Sequence, residues 1–373
     1  MKIDDLYPIF KFIASKYSKK LEKDNSTDWE TELKRFSWKK RSSKSYQKSH
    51  APEFREKQLK IKKHQGLKGT IRRLDYMFCW FFLGAVPEDY FSMVFENKGW
   101  RWRNHHITRM RLNFIKQMLN DDAESCTLLN DKIAFCSHWN DKLNRIWCNP
   151  QDTTYEEFIN KFQGIDKIIS KRRVGYGGKG IEVFDKSDIA NENDYLDLIE
   201  KHPEHILEEF HYQTGWLYEL NPSSLNTIRV ATVQINDEID VIFSYLRVGV
   251  KGAFVDNLHS GGIRFPINHH TGEIYAGMNY ETSNIEKHPD SKIQIAGEKI
   301  SNWDEVCLFC KDAHKRAPEN LRFIGWDICL DEDGMCLIEG NSGPGFPPIE
   351  DPNDDWWKQI KEKFSKLEKN KKN

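Results

Sequence analysis

Two apolar runs, Phe323-Ile-Gly-Trp-Asp-Ile-Cys-Leu330 and Met335-Cys-Leu-Ile-Glu-Gly-Asn341, constrain this chain more than any other feature. They flank Asp331-Glu-Asp-Gly334, and strand-like runs joined by an Asp/Gly turn read as a β-hairpin. Each run carries a carboxylate, Asp327 or Glu339, among residues that favour burial. An unpaired charge in such a setting is costly. Strand alternation puts Glu339 and Asn341 on one face, and pairing in register lays Asp327 across from them. Two carboxylates and an amide on one sheet face are hard oxygen ligands, suited to Mg²⁺ held jointly with phosphates. A surface hairpin with solvated acids is the simpler alternative, and the apolar neighbours of both acids speak against it.

The sequence ahead of this hairpin changes character near Asn130. Residues 1–73 form a basic, aromatic-containing region that reads as helical. Lys39-Lys40-Arg41 and Lys60-Ile-Lys-Lys63 are interleaved there with Trp29, Phe36, Trp38 and Tyr46. Such a mixture could follow a nucleic-acid backbone or an anionic membrane. Glu22, Asp28, Glu30, Glu32 and Glu56 break the positive run, so solvated helices anchored by tryptophans are the expectation and nucleic acid is not. Residues 74–129 read as helical, with a helix start at Pro87-Glu-Asp-Tyr-Phe91. Beyond Asn130, strands are expected over 165–170, 181–184, 206–210, 228–235, 239–248, 323–330 and 335–339. Residues 130–215 and 216–355 read as α+β, and 356–373 as a basic helix with a fraying end.

Composition narrows the partners and the compartment. The formal net charge of -1 imposes no single-sign field. The longest apolar stretch, Met77 to Val86, is far below the roughly 18 residues a membrane span needs. The N-terminus lacks the pattern of a secretory signal, so a cytoplasmic location is expected. Cys79, Cys136, Cys329 and Cys336 sit in apolar runs like small core hydrophobes. Cys307-Leu-Phe-Cys310 lies in a helical pattern without the second ligand pair of a zinc site, and reads as packing.

Three further segments carry chemistry-bearing residues. Asp166 to Phe184 is a strand ending at Lys171, a glycine-rich loop with Gly177, Gly178, Lys179 and Gly180, and a second strand. Glycines let backbone N–H groups approach phosphate closely. The spacing is neither a P-loop nor a dinucleotide fingerprint, because a strand rather than a helix follows. Ile206-Leu-Glu-Glu-Phe-His211 is an apolar strand ending in Glu208, Glu209 and Phe210, where strand-end groups can read an adenine edge and a carboxylate can hold ribose. Arg229 and Arg247 interrupt apolar strands, and a loop with Asn257, Gly261 and Gly262 follows. Arginines so placed face an anion, either a bound phosphate or a structural acid such as Asp240.

The order lysine strand, glycine loop, Glu-Glu strand, arginine strands and Asp…Glu-x-Asn resembles that of ATP-grasp enzymes. Asn226-Thr-Ile-Arg229, Val255-Asp-Asn257…Gly261-Gly262, Gly325-Trp-Asp327 and Glu339-Gly-Asn341 are similar to the sugar-transfer-associated ATP-grasp family over Leu74 to Asp351, with Asp89-Tyr-Phe91 a weaker upstream match. The resemblance implies an ATP-grasp α+β fold whose two lobes sandwich ATP. It implies that Lys132 and Lys171 bind the nucleotide and that Gly177, Gly178, Lys179 and Gly180 close over the phosphates. Glu208 and Phe210 would hold adenine through the backbone, and Glu209 or a nearby acid the ribose. Asp327, Glu339 and Asn341 would bind two Mg²⁺ ions, and Arg229, Arg247 and Asn257 the γ-phosphate or developing negative charge. Many members of the superfamily have Lys-Pro where this chain has Lys171-Arg172, and Gln-His-Pro where it has Gln213-Thr-Gly.

The implied activity is ligation. A carboxylate, on a small molecule or a sugar, is activated by ATP as an acyl phosphate and coupled to an amine or amino acid, in surface polysaccharide or capsule biosynthesis. The alternatives are a kinase acting on a hydroxyl in the same site, and a nucleic-acid- or membrane-binding module carried by the basic N-terminal region.

Overall fold

The computed structural model describes residues 12–13, 15–23, 28–42, 67–86, 89–90, 95–120, 122–175, 180–253, 256, 261–279, 283–332, 334–346 and 356–371. The chain divides into two compact units, residues 1–118 with 348–373 and residues 119–347.

The first unit is helical among its described residues, with helices Trp29–Ser42, Leu67–Leu83, Trp100–His105 and Trp356–Lys371. Several of its aromatics pack on one another, while Tyr17, Phe78, Phe82 and Trp100 are exposed. Trp29 meets Trp357 and Phe364 at 6.1 and 6.0 Å, and Trp38 stacks on Tyr17 at 5.3 Å. Phe36 lies 5.8 Å from Phe114. These rings are engaged within the unit, as expected of helix anchors. Tyr46 and Lys60-Ile-Lys-Lys63 lie outside the described residues. The basic C-terminal helix is present as expected, and it carries an apolar stripe. Trp357, Ile360 and Phe364 recur at helical spacing, and all three are buried. At Asp89, the weaker upstream match, the carboxylate accepts hydrogen bonds from the N–H groups of Val86 and Arg109 at 3.0 and 2.9 Å.

The second unit holds two antiparallel sheets. Strands β1 (Trp147–Cys148), β2 (Lys167–Arg172), β3 (Ile181–Asp185) and β4 (His205–Glu209) form a four-stranded sheet in the order β1-β4-β2-β3. Strands β5 (Thr227–Ile235), β6 (Glu238–Val248), β7 (Ile263–Ile267), β8 (Gly277–Met278), β9 (Ser283–Ile285), β10 (Phe323–Asp331) and β11 (Gly334–Asn341) form a seven-stranded sheet in the order β11-β10-β5-β6-β7-β8-β9. Each strand expected from the sequence is present within two residues at either end. Four strands were not expected. β1, β8 and β9 are two or three residues long, and β7 contains Pro266, which demotes a run when read from sequence alone.

Helix Trp303–Lys315 packs on β5 and β6 through Trp303, Val306, Cys310, Ala313 and His314. Each large side chain buried this way contributes about 1.5–3 kcal/mol. Cys310 is part of this core and Cys307 is half-buried with a free thiol, in keeping with packing. Helices Ala123–Asn130 and Lys132–His138 contribute Leu129, Phe135 and Cys136 to the same core. Among the described residues no helix is long and apolar enough to cross a membrane.

Candidate functional site

From Asp331–Gly334 to Ile328–Leu337 the hairpin pairs regularly, a register that would set Asp327 against Ile338, and a β-bulge moves it to Glu339. Asp327 of β10 is the direct partner of Glu339 of β11, and Gly325 of Asn341. Ile338 is the extra residue of the bulge. On its other side β10 pairs with β5, which sets Asp327 against Arg229, and β5 pairs with β6, which sets Thr227 against Arg247. Four strands thus deliver two acids and two arginines to one sheet face.

The acids are not equivalent. Arg229 reaches both oxygens of Asp327, through Nε to Oδ1 and through Nη2 to Oδ2 at 2.8 Å. Arg247 Nη1 donates to Oδ2 at 2.6 Å and its Nη2 to Asp256 at 2.6 Å. Burial opposes ionisation of Asp327, but the two guanidiniums hold it well below the usual carboxylate range. Glu339 has no such partner: burial and the facing Asp327 carboxylate push it up. The Asn341 amide donates only long hydrogen bonds, to Glu339 Oε1 at 3.4 Å and to Gly325 O at 3.5 Å. A buried carboxyl raised by a facing ionised carboxylate suits a pair that a divalent cation neutralises on binding. The hard oxygen set therefore fits Mg²⁺. Asp327 and Asp256 are acids that engage the arginines, while Asp240, raised as an alternative, pairs in register with Val233.

Across the cleft, Glu208 of β4 is 1% exposed and lies between two cations. Arg145 Nε is 2.6 Å and Lys171 Nζ 2.9 Å from its Oε2. Burial alone would raise this carboxyl, but Arg145 and Lys171 bring it down to about 2. Arg145 also donates to the carbonyls of Leu337 and, at 3.2 Å, Ile338, so it joins the end of β4 to the bulge beside Glu339. Glu208 thus acts through its side chain, as an ion-pair hub. Glu209 Oε2 accepts from Ile146 N at 3.0 Å, and Phe210 N donates to Lys167 O at 3.0 Å. Of the Phe210 backbone, expected to hold adenine, the N–H is engaged by Lys167 of β2.

The base of the glycine loop is fixed from outside. Asp131 caps helix Lys132–His138 and accepts from Arg173 Nε at 2.6 Å. Lys132 Nζ donates to Gly175 O at 3.2 Å. Gly180 closes the loop at φ +73°, in the left-handed region that favours glycine. Gly177, Gly178, Lys179 and Asn257 lie outside the described residues.

A cleft of about 210 Å³ lies between the sheets, and Lys132, Lys171, Glu208, Arg247, Asp327 and Glu339 are among its lining residues. Glu209 and Phe210 border the same cleft. Arg145 and Asp256 were missed in the sequence. Arg145 follows a helix without any motif, and Asp256 sits inside a quoted segment whose asparagine drew attention instead. Arg264 was also missed. It pairs with Arg247 across β7 and β6, its guanidinium lies 5.2 Å from the Tyr245 ring, and its buried Nε has no hydrogen-bond partner among the described residues. Asn226 proves to be scaffold: its amide donates to Leu217 O and Asn221 O, while Gln213 brackets its backbone N–H and C=O.

The model of the sugar-transfer associated ATP-grasp family matches residues 118–359. No curated protein matches the chain. Among solved structures it is similar to D-alanyl-alanine synthetase A from Vibrio cholerae O1, with 12% identity, 66% of each chain covered and a TM-score of 0.40. It is also similar to an ATP-grasp ligase complexed with a minimal precursor, with 12% identity over 72% of this chain and 75% of that one and a TM-score of 0.38. A third similar structure is the ADP complex of N5-carboxyaminoimidazole ribonucleotide synthetase, with 12% identity and a TM-score of 0.35. Here 58% of this chain covers 45% of the synthetase, so the chain spans less than half the length of that relative.

Proposed function

The chain belongs to the sugar-transfer associated ATP-grasp family, and from that premise we propose that it is an ATP- and Mg²⁺-dependent ligase joining a carboxylate to an amine. The observation that carries this reading is the Asp327–Glu339 pair, aligned by strand register and facing Lys171 and Lys132 across one cleft. A sugar acid as carboxylate and an amine or amino acid as nucleophile, within surface polysaccharide biosynthesis, are the finer proposal.

In the first step a carboxylate oxygen bonds to the γ-phosphorus and the bond to the β,γ-bridging oxygen breaks, releasing ADP. In the second the amine nitrogen bonds to the carbonyl carbon of the acyl phosphate, and phosphate leaves with the C–O electron pair. Bound at Asp327, Glu339 and Asn341, Mg²⁺ supplies charge neutralisation to the transferring phosphoryl group. Lys171 and Lys132 offer ammonium groups to phosphate oxygens. The strong coupling of Lys171 to Glu208 sets its position before nucleotide arrives. Arg247, held by both Asp327 and Asp256, stands where developing negative charge needs a fixed cation. We assign the unpaired Nε of Arg264 to the carboxylate-bearing substrate, because a buried donor without a partner is costly until an acceptor arrives.

The test is turnover of ATP by purified protein with Mg²⁺, a panel of uronic acids and a panel of amines, read by ADP release and product mass. The expected result is ADP formation that requires both substrates, with a product heavier by the amine less water. A phosphorylated product formed without amine would replace the ligase reading by a kinase. No ADP formation across the panels would count against both.

A further inference from the structure

Cys329 and Cys336 face one another as direct cross-strand partners of β10 and β11. Read from sequence they are small core residues, and both are buried. Packing alone accounts for two buried thiols. It does not account for the third group beside them. His211, in the segment that leaves β4 and borders the cleft, brings its ring to both sulfurs. One imidazole nitrogen and the two Sγ atoms all lie within 4.8 Å of one another.

The surroundings are those of a ligating histidine. Asp331 Oδ2 is 2.6 Å from His211 Nε2, and Asp331 Oδ1 is fixed in turn by the N–H of Thr214 at 3.0 Å. A carboxylate on one ring nitrogen orients the imidazole and leaves the other nitrogen for a metal. Cys329 Sγ lies 3.7 and 3.6 Å from the two Asp331 oxygens, and Gln213 Nε2 donates to this sulfur at 3.4 Å. In a tetrahedral zinc site with bonds of about 2.0–2.3 Å, neighbouring ligand atoms are roughly 3.3–3.8 Å apart, so side-chain movements of about 1 Å would close this triangle.

We propose that His211, Cys329 and Cys336 bind a zinc ion at a site separate from the Asp327, Glu339 and Asn341 set. Two thiolates and an imidazole select a borderline-soft ion, whereas the neighbouring oxygen set selects Mg²⁺. Zinc binds the thiolates, so both thiol protons pass to solvent as the two Zn–S bonds form. The fourth position belongs to a water molecule. His211 comes from the segment after Glu208 and Phe210, and the thiols from the hairpin that carries Asp327 and Glu339. An ion held between them ties the adenine side of the cleft to the phosphate side.

The experiment is a zinc titration of metal-free, full-length protein against a chromophoric chelator, repeated with Co²⁺ and read by visible absorption. The expected results are uptake of about one zinc per chain and a cobalt spectrum with tetrahedral d–d bands and thiolate charge-transfer bands. His211→Gln and Cys336→Ser should lower zinc affinity by more than about tenfold, since even outer groups of such sites are worth about 10–100-fold. Cys310→Ser, at a buried thiol on helix Trp303–Lys315, should leave affinity unchanged. Should Cys336→Ser fail to fold, protection of Cys329 and Cys336 from alkylation by zinc in the wild-type protein replaces it. No zinc uptake, a cobalt spectrum without thiolate bands, affinity unchanged in His211→Gln, or a Cys329–Cys336 disulfide in protein isolated without air would each overturn the proposal. The readout is metal binding, so it stands apart from the ligase test.

Discussion

Asp327→Asn and Glu339→Gln each remove one carboxylate from a pair that is adjacent in register. They are nevertheless expected to have different effects on stability. Three charge-assisted hydrogen bonds from Arg229 and Arg247 end on Asp327. Asparagine keeps one acceptor oxygen, so about two of these bonds are lost, each worth about 1.5–3 kcal/mol. That agrees with the roughly 3–5 kcal/mol cost of removing one partner of a buried ion pair. For a unit the size of residues 119–347, a Tm falls by roughly 2–4 °C per kcal/mol, which gives a drop of about 6–20 °C. Glu339 carries no such partners, and its carboxyl is already held up by burial and Asp327. Glutamine there should change stability by less than about 1 kcal/mol. Both variants should lose ATP turnover by at least about 100-fold, as sites built on fixed charge do when one group is removed. The assay is thermal and urea denaturation without Mg²⁺, paired with ADP release in its presence. Equal losses of stability in the two variants, or a stable Asp327→Asn, would refute the reasoning.

Four further outcomes follow from the same geometry. The raised carboxyl of Glu339 means that the free site keeps its proton to higher pH than an ordinary glutamate, and Mg²⁺ must displace it. Mg²⁺ affinity should therefore weaken as pH falls through that raised value, with proton uptake or release visible by calorimetry in buffers of different ionisation enthalpy, and Glu339→Gln should remove the dependence. Glu208, lowered from its ordinary 4.5 to about 2, contributes stability that is present above pH 4.5 and lost as pH falls toward 2. This amounts to about 3 kcal/mol at neutral pH, and Glu208→Gln should lose it in urea melts while flattening the acid limb. Gly325→Ala would place a Cβ 2.4 Å from Pro344 Cβ and 3.1 Å from Arg229 Cδ, so a loss of about 1–3 kcal/mol in urea melts and a lower turnover are expected. Arg264→Lys should raise the KM for the carboxylate substrate and leave the ATP Kd unchanged; a change in ATP affinity alone would remove Arg264 from the substrate side.

Much of this molecule is legible locally. Runs of β-branched and other apolar residues mark β5, β6, β10 and β11, and Gly334 at φ +132° marks the turn between the last two. Because alternation is a property of the strand itself, the shared face of Glu339 and Asn341 follows from sequence alone. The placement of Asp327 opposite Glu339 does not, because the register counted back from the Asp331–Gly334 turn sets Asp327 against Ile338 and only the bulge moves it to Glu339. The tail shows the limit of local reading, since its charged residues suggest fraying while burial of Trp357, Ile360 and Phe364 depends on what lies beside them.

Strand order lies beyond local reading. Asp327 and Glu339 look alike in sequence. They differ because β5 and β6 sit on one side of β10, bringing Arg229 and Arg247, while β11 lies at the sheet edge. Arg145 finds Glu208 at a separation of 63 residues, and His211 finds Asp331 at 120. No spacing rule links such residues, because their meeting is set by how the two sheets pack. Sequence thus supplied the carboxylates, lysines and glycines of a nucleotide and metal site. Tertiary structure decided which acid is ionised, which lysine is anchored, and which thiols share a histidine, since each depends on the charge and burial that distant strands provide.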